Sequence, residues 1–505
     1  MARAGFLIAT LLVASVAFAS ANELSPEEAS LAAKIDRLIA DKAHAKSVPL
    51  AAISSDAEFL RRAYLDLVGT IPTAGEARAF LADDRPDRRH RLINTLLARP
   101  DHATHLATLW RDDLLASVEN REIIPDDSIR LLDHWLRTRF LENDGYDTLA
   151  AGLITATGSI PDDRGAAIYI AAHQTAPERL ATGTSRMFLG VQIDCAQCHD
   201  HFFADWTQED FWSFAAVFAE VRNVNNANFG MLPKLTDDRT PRPVTIPETT
   251  QVMVPRFPGE NEPLTAETTR REAFARWLTG PDNPYFATAA VNRLWAVLFG
   301  YGLVHPIDNM GPLNPPSHPK LLELLADDFT AHDFNIRRTL RILANTKAYG
   351  RSSRGGGDPR LFARKLVRPL TPRQLHASLR TASGELPALQ SDPQARQFVE
   401  NFSSANSRVE YQSGIPQALL LLNGETVAGL TNPEQSRLVI GIADSPFFND
   451  KERVETLFLA ALSRDPRSDE LDRCLTYLTE AKTTREGLSD ILWALLNSSE
   501  FALNH

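Results

Sequence analysis

Ser55-Asp56-Ala57-Glu58-Phe59-Leu60-Arg61-Arg62-Ala63-Tyr64-Leu65-Asp66-Leu67-Val68-Gly69 is the stretch that decides the fold class. Ser55 followed by Glu58 is a capping box, in which each side chain takes an amide left open at a helix start. Phe59, Ala63 and Leu67 then fall on one helical face. Arg62 stands one turn before Asp66, where the two charges can pair. Gly69 and Pro72 close the segment: glycine accepts the left-handed conformation of a helix end, and proline cannot continue the helix.

The same grammar extends in both directions. Asp87 to Ala98 reads as a helix stopped by Pro100, and Asp101 to Ser117 as the next. Ser128 to Phe140 turns Leu131, Leu132, Trp135 and Leu136 inward. Gly158 to Gly165 is polar and turn-rich, and Ala166 to Ala172 and Pro177 to Leu189 are helical again. Thr207 opens a helix with Asp210 at the capping-box offset and Phe211, Phe214 and Phe218 on one face. Between Val221 and Pro263 the texture changes. Asn223 to Asn228 is loop-like, and Val244 to Ile246 and Gln251 to Val254 are short β-type runs broken by prolines. Helices resume at Glu267. Val291, Leu294, Trp295, Leu298 and Phe299 form an apolar stripe that stops at Gly300. Ser317 starts a helix carrying Leu321, Leu322, Leu325 and Phe329. Arg354 to Gly357 is a joint, and Arg453 to Leu462 and Asp472 to Ala481 are helical. The expected architecture is mainly α. Two helical domains, 33–221 and 264–500, are joined by a loop-rich linker, 222–263, that carries a small β-hairpin.

The first residues predict export. Arg3 precedes an apolar run from Phe6 to Val16, and Ala17-Phe18-Ala19 and Ala19-Ser20-Ala21 are small-x-small cleavage sites. The run is shorter than the ~20 residues a spanning helix needs, so 1–21 reads as a signal peptide. No later stretch is long and apolar enough to span. The expected location is the periplasm or the secreted fraction, with no integral membrane span after signal removal. A net charge of −11 argues against nucleic acid and anionic membrane surfaces as partners. Three cysteines are too few for a disulfide-stabilised exported protein, so stability must come from packed apolar surface.

Two of those three cysteines lie in Cys195-Ala196-Gln197-Cys198-His199. C-type haem is fixed by thioether bonds from two cysteine sulfurs separated by two residues, and the following histidine meets the iron as proximal ligand. Cys195, Cys198 and His199 satisfy these demands. Two other chemistries use the same residues. Zinc or another transition metal could take Cys195, Cys198, His199 and either His201 or Asp200. A Cys195–Cys198 disulfide is the third, although the thioredoxin-like βαβ setting is missing. Phe202, Phe203, Trp206, Phe211, Trp212, Phe214 and Phe218 follow, either walling a haem or packing a core helix. The distal iron ligand is sought in Met187 or His173, with His305, Met310 and His318 behind them. His201 is placed in the second shell of the iron or as an alternative metal ligand. The acidic pairs Asp112-Asp113, Asp162-Asp163 and Asp327-Asp328 read as solvated or helix-capping. Cys474 reads as a buried apolar residue. No phosphate loop, nucleophile elbow or zinc-protease helix occurs, so no catalytic residue is assigned.

At these residues the chain resembles a two-part family of exported planctomycete proteins. An N-terminal cytochrome-c-like domain is followed by a planctomycete-specific C-terminal domain. Phe59 to Gly69 with Ile71-Pro72-Thr73 is similar to the opening motif of the first domain. Phe188-Leu189-Gly190 leading into Cys195 to His201 resembles its centre, and Phe211 to Ala215 the aromatic run after it. Asn283-Pro284, Val291 to Trp295, Leu298 to Val304, His318 to Leu322 and Pro416 to Leu419 resemble the second domain. The likeness covers roughly residues 33 to 500 and implies extracytoplasmic redox work.

The function expected is electron transfer by a c-type haem protein, with a redox partner or co-exported protein. A metal-binding enzyme at the same cluster is the first alternative. A non-catalytic exported binding or scaffold protein with a Cys195–Cys198 disulfide is the second.

Overall fold

Ser55 caps the Asp56–Leu67 helix, its hydroxyl accepting from the Glu58 amide at 3.2 Å. The Glu58 carboxylate is directed not to the cap but to Arg62 (2.7 Å) and to the Ser353 amide (2.9 Å). The expected Arg62–Asp66 pairing is thereby replaced. Every residue from Phe59 to Leu67 is buried, so Arg61, Arg62 and Asp66 need partners from elsewhere in the chain. This computed structural model describes residues 24–119, 121, 124–200, 206–225, 232–241, 243–265, 267–385, 395, 397–399 and 424–505. The expected signal peptide, His201, Phe202, Phe203 and Pro416 to Leu419 lie outside the described residues. The fold is mainly α, with two small two-stranded sheets.

Two compact units cut across the expected consecutive division: 1–102 with 341–505, and 103–340. The segment expected as a linker, 222–263, lies wholly within the second. One reason is Arg271, buried in the Arg270–Leu278 helix. Its guanidinium donates to Asp237 at 2.8 and 2.7 Å and to the carbonyls of Ile154 (2.7 Å) and Ala156 (3.0 Å). A buried guanidinium holds its acceptors in place, so strand, loop and helix pack as one body.

In the first unit, Leu65, Leu375, Leu379, Val454, Leu457, Phe458, Leu488 and Leu492 form the core. They come from the Asp56–Leu67, Pro372–Ala382, Asp450–Leu462 and Thr484–Leu496 helices. Leu503–Asn504 pairs antiparallel with Arg368–Pro369. Asp66 is fully buried and accepts from Lys365 (3.0 Å), Tyr349 (3.0 Å), Asn504 (2.7 Å) and Arg368. Arg61 donates to the carbonyls of Ala461 (2.9 Å) and Phe501 (2.7 Å).

The second unit has an aromatic core. Tyr146 stacks on Phe286 with centroids 5.1 Å apart and meets Trp110, Phe188 and Phe329 at 6.2 to 6.4 Å. Leu132, Trp135 and Leu136 are buried in the Asp126–Glu142 helix, as the pattern predicts, whereas Leu131, also expected inward, is half-buried. Gly165 lets the Arg164–Ala172 helix approach closely, because a Cβ there would lie 2.4 Å from the Leu131 carbonyl. The strands that pair in this unit are Val221–Asn223 and Leu235–Asp237. The expected runs Val244 to Ile246 and Gln251 to Val254 meet at one bridge, Thr245 with Val252. Pro243, Pro247 and Pro255 cannot donate to a ladder, which limits that pairing. Pro319–Ala331 begins two residues after the expected Ser317, with His318 at the cap and proline in the first turn. Among the described residues no helix is long and apolar enough to cross a membrane.

Candidate functional site

The approach to the cysteines is rigid. The Pro177–Thr184 helix widens into one π-helical turn, Ser185–Leu189, in which Met187, Phe188 and Leu189 are buried. Gly190 then takes φ +70°, and its carbonyl accepts from the Met310 amide at 2.8 Å. A Cβ on Gly190 would lie 3.1 Å from both the Ala289 Cβ and the Met310 Sδ, so both conformation and space call for glycine. Val191 and Ile193 are buried, and Asp194–Gln197 forms a short 3₁₀ turn.

In that turn only the smallest side chain faces inward. Ala196 is fully buried, while Cys195, Cys198 and His199 are exposed and both thiols are free. The Gln197 carbonyl accepts from the Trp212 indole (3.0 Å) and from Gln208 Nε2 (3.2 Å). Asp200 Oδ1 accepts from the Gln208 amide at 2.8 Å. These anchors come from the Gln208–Ala215 helix, which starts at the predicted Thr207–Asp210 capping box. His199 Nδ1 donates to the Asp200 carbonyl at 2.8 Å. In the neutral ring that bond places the lone pair on Nε2, the nitrogen a metal would use.

A fixed cation lies beside the turn. Arg186 Nε is 3.2 Å from Asp194 Oδ1, and its Nη1 is 3.8 Å from Asp308. Burial works against the Arg186 charge, but Asp194, Asp308 and the sulfur of Cys195 together raise its pKa above the ordinary guanidinium value. Gln192 Nε2 donates to Asp308 Oδ1 at 3.1 Å. The sequence pattern carried no sign of Arg186, Gln192 or Asp308. Each is an ordinary polar residue until the fold brings them together.

The other predicted residues go elsewhere. His173 is buried, its Nδ1 donating to the Tyr169 carbonyl (2.9 Å) and its Nε2 accepting from Ser117 (3.1 Å). Burial pushes its pKa down to about 4, and Arg179 and Arg121 add to the effect. Met187 is in the packed interior. The His305 ring lies tilted against Tyr301 with centroids 3.8 Å apart, His318 is buried beside Ser317, and Met310 is half-buried beside Gly190. Phe214 and Phe218 pack on Phe274 at 5.3 and 5.6 Å, which makes them core residues rather than walls around the turn. Phe211 is buried against Trp212, and Trp206 is half-buried. Asp112 pairs with Arg111, Asp113 with Arg293 and Asp328 with Arg338. Asp163 accepts from the Thr157 amide and hydroxyl at 2.8 Å. Cys474 is half-buried against the first unit's core, and burial pushes its thiol pKa up.

Two thiols and one imidazole are residue types used in three chemistries, thioether attachment of a haem, binding of a thiophilic metal, and thiol–disulfide exchange, but their ligand atoms do not all lie within 4.8 Å of one another here. Two open grooves, of about 470 and 420 Å3, are lined by other residues, among them Ala32, Asp36 and Lys347, and Pro284, Pro319 and Asp327.

Residues 34–223 match the family model PSCyt2, described as "Protein of unknown function (DUF1549)". Residues 270–414 match PSD1, described as "Protein of unknown function (DUF1553)". Both families are planctomycete-associated, and the two matches follow one another along the chain in that order. No curated protein and no solved structure matches the chain. Each matched segment contributes residues to both compact units.

Proposed function

We propose that this chain is an exported electron-transfer protein that carries one c-type haem, with Cys195 and Cys198 as the thioether anchors and His199 as the iron ligand. One observation supports this above the rest. The two cysteines and the histidine are all exposed on one short turn, anchored through the Gln197 carbonyl and the Asp200 side chain. Exposed thiols are within reach of attachment enzymes, and that machinery works where the predicted signal peptide would deliver the chain. The Nδ1 bond to the Asp200 carbonyl orients the His199 ring and raises its basicity toward an iron at Nε2. When bound, haem supplies one-electron chemistry. The chain's own contribution is to hold the anchors, fix the ring tautomer and present the group to a redox partner or co-exported protein.

The test is expression of the mature chain together with the haem-attachment machinery, followed by visible spectroscopy and intact mass. A Soret band and a mass gain that survive denaturation are the expected result, and both should vanish in Cys195→Ala/Cys198→Ala. A colourless chain loaded with zinc would overturn the proposal in favour of a metal-binding enzyme. A colourless, metal-free chain with Cys195 bonded to Cys198 would leave an exported binding or scaffold protein.

A further inference from the structure

We infer that the cysteine site is completed by the second matched segment: Asn292, Arg293 and Asp308 are positioning residues for the Cys195–His199 turn. The inference deepens the haem reading and rests on it for the site's importance, but its geometry stands independently. The turn belongs to the first matched segment, 34–223, and the three residues to the second, 270–414. All lie in the compact unit 103–340.

Asn292 and Arg293 are adjacent on the Phe286–Phe299 helix and both are buried. Arg293 donates to Asp113 at 2.7 Å and reaches the backbone carbonyl of Arg186 at 3.4 Å. It therefore grips the main chain of the residue whose side chain holds Asp194 at the start of the turn. Asn292 uses both ends of its amide. Its Nδ2 donates to the carbonyls of Val304 (2.9 Å) and Ile307 (3.3 Å), and its Oδ1 accepts from the Val304 amide (2.9 Å). A Cβ on Gly302 would lie 2.2 Å from the Val304 carbonyl and 3.0 Å from Asn292 Oδ1, so the clamp leaves room only for glycine.

The clamped loop delivers Asp308. Its carboxylate accepts from Gln192 at 3.1 Å and faces Arg186 at 3.8 Å, and two residues on the Met310 amide donates to Gly190. Residues 186 to 194 are thus tied to 308 to 310 by side chain and backbone. Asp194 and Asp308 both act on Arg186, and Asp308 also stabilises the charge of Arg293, which pairs with Asp113; three carboxylates thus face two guanidiniums beside the turn. Removing one of these carboxylates would make an electron arriving at the turn more welcome.

The test compares Asp308→Ala and Asp308→Asn with the unaltered mature chain by amide hydrogen exchange. Asp308→Ala removes the contacts to both Gln192 and Arg186. It should speed exchange of residues 190–199 by about tenfold, the scale of one lost hydrogen bond, without moving the Arg164–Ala172 helix. Asp308→Asn keeps an acceptor for Gln192 and should restore most of the protection. Unchanged exchange at 190–199, or an equal rise in the Arg164–Ala172 helix, would overturn the inference. In the haem-loaded chain, Asp308→Asn should raise the midpoint potential, which a purely structural role would not do. An unmoved potential would overturn the electrostatic part. If the unaltered chain takes no haem, the proposed function fails while the exchange result still decides the positioning role.

Discussion

Asp66 is sealed among Lys365, Arg368, Tyr349 and Asn504, whereas Cys195, Cys198 and His199 stand exposed on a short turn. The two clusters follow opposite rules. Burial pushes the Lys365 ammonium pKa down, and Arg62 and Arg368 push the same way against Asp66. Burial alone would raise the Asp66 carboxyl, but Lys365 and Arg368 hold it below the usual carboxylate range. Burial and Asp66 together raise Tyr349 well above the ordinary phenol value. Strongly shifted groups often mark active sites, yet structural ion-pair networks shift them too. Here the shifted set joins parts of the chain 283 to 438 residues apart, while Cys195, Cys198 and His199 face solvent. The difference separates charge that holds the fold from side chains that the fold leaves exposed.

The sharpest way to break that contrast is Asp66→Ala. Losing the carboxylate strands buried cations, and denaturant unfolding should show a loss of about 3–5 kcal/mol. A loss below ~1 kcal/mol would remove the cluster from the scaffold.

His173 tests the same rule on a single ring. Its folded pKa of about 4 lies below the ordinary 6.5. The unfolded chain therefore binds more protons between those values. Stability is fully present above the upper value and falls by about 1.4 kcal/mol per pH unit as pH drops through the window. In His173→Gln this contribution to the slope should disappear when unfolding free energy is followed from pH 6.5 to 4. An unaltered slope would mean the ring is not held neutral.

Gly190→Ala should cost about 1–2 kcal/mol, because an alanine must adopt positive φ there and meets Ala289 and Met310. Thermal unfolding measures it, and a neutral result would show that the approach to the turn can relax. The smallest effect is expected at the turn itself. Cys195→Ala/Cys198→Ala should change the stability of the haem-free chain by less than ~0.5 kcal/mol, since exposed side chains contribute little packing. A large loss in denaturant titration would make the cysteines structural.

Local features were legible. The Thr207–Asp210 cap, the Val291 to Phe299 stripe ending at Gly300, and the inward Leu132, Trp135 and Leu136 all follow from contacts within one or two helical turns. Ser55 and Glu58 show the limit of such reading. The hydroxyl caps as its position predicts, but the carboxylate answers to Arg62 and Ser353, the latter 295 residues away. At the candidate site the cysteines and His199 announce themselves by spacing. Arg186, Gln192 and Asp308 do not, because nothing near them in the chain reveals which partner they will meet.

Sequence alone determined the helical class and singled out Cys195, Cys198 and His199 as candidates, because helix periodicity, capping and the cysteine–histidine spacing are properties of neighbouring residues. Tertiary structure decided which charges are buried, that 222–263 folds inside a compact unit, and that Asn292, Arg293 and Asp308 brace the cysteine turn. Those outcomes depend on desolvation and on partners supplied from distant parts of the chain, and local pattern does not encode either.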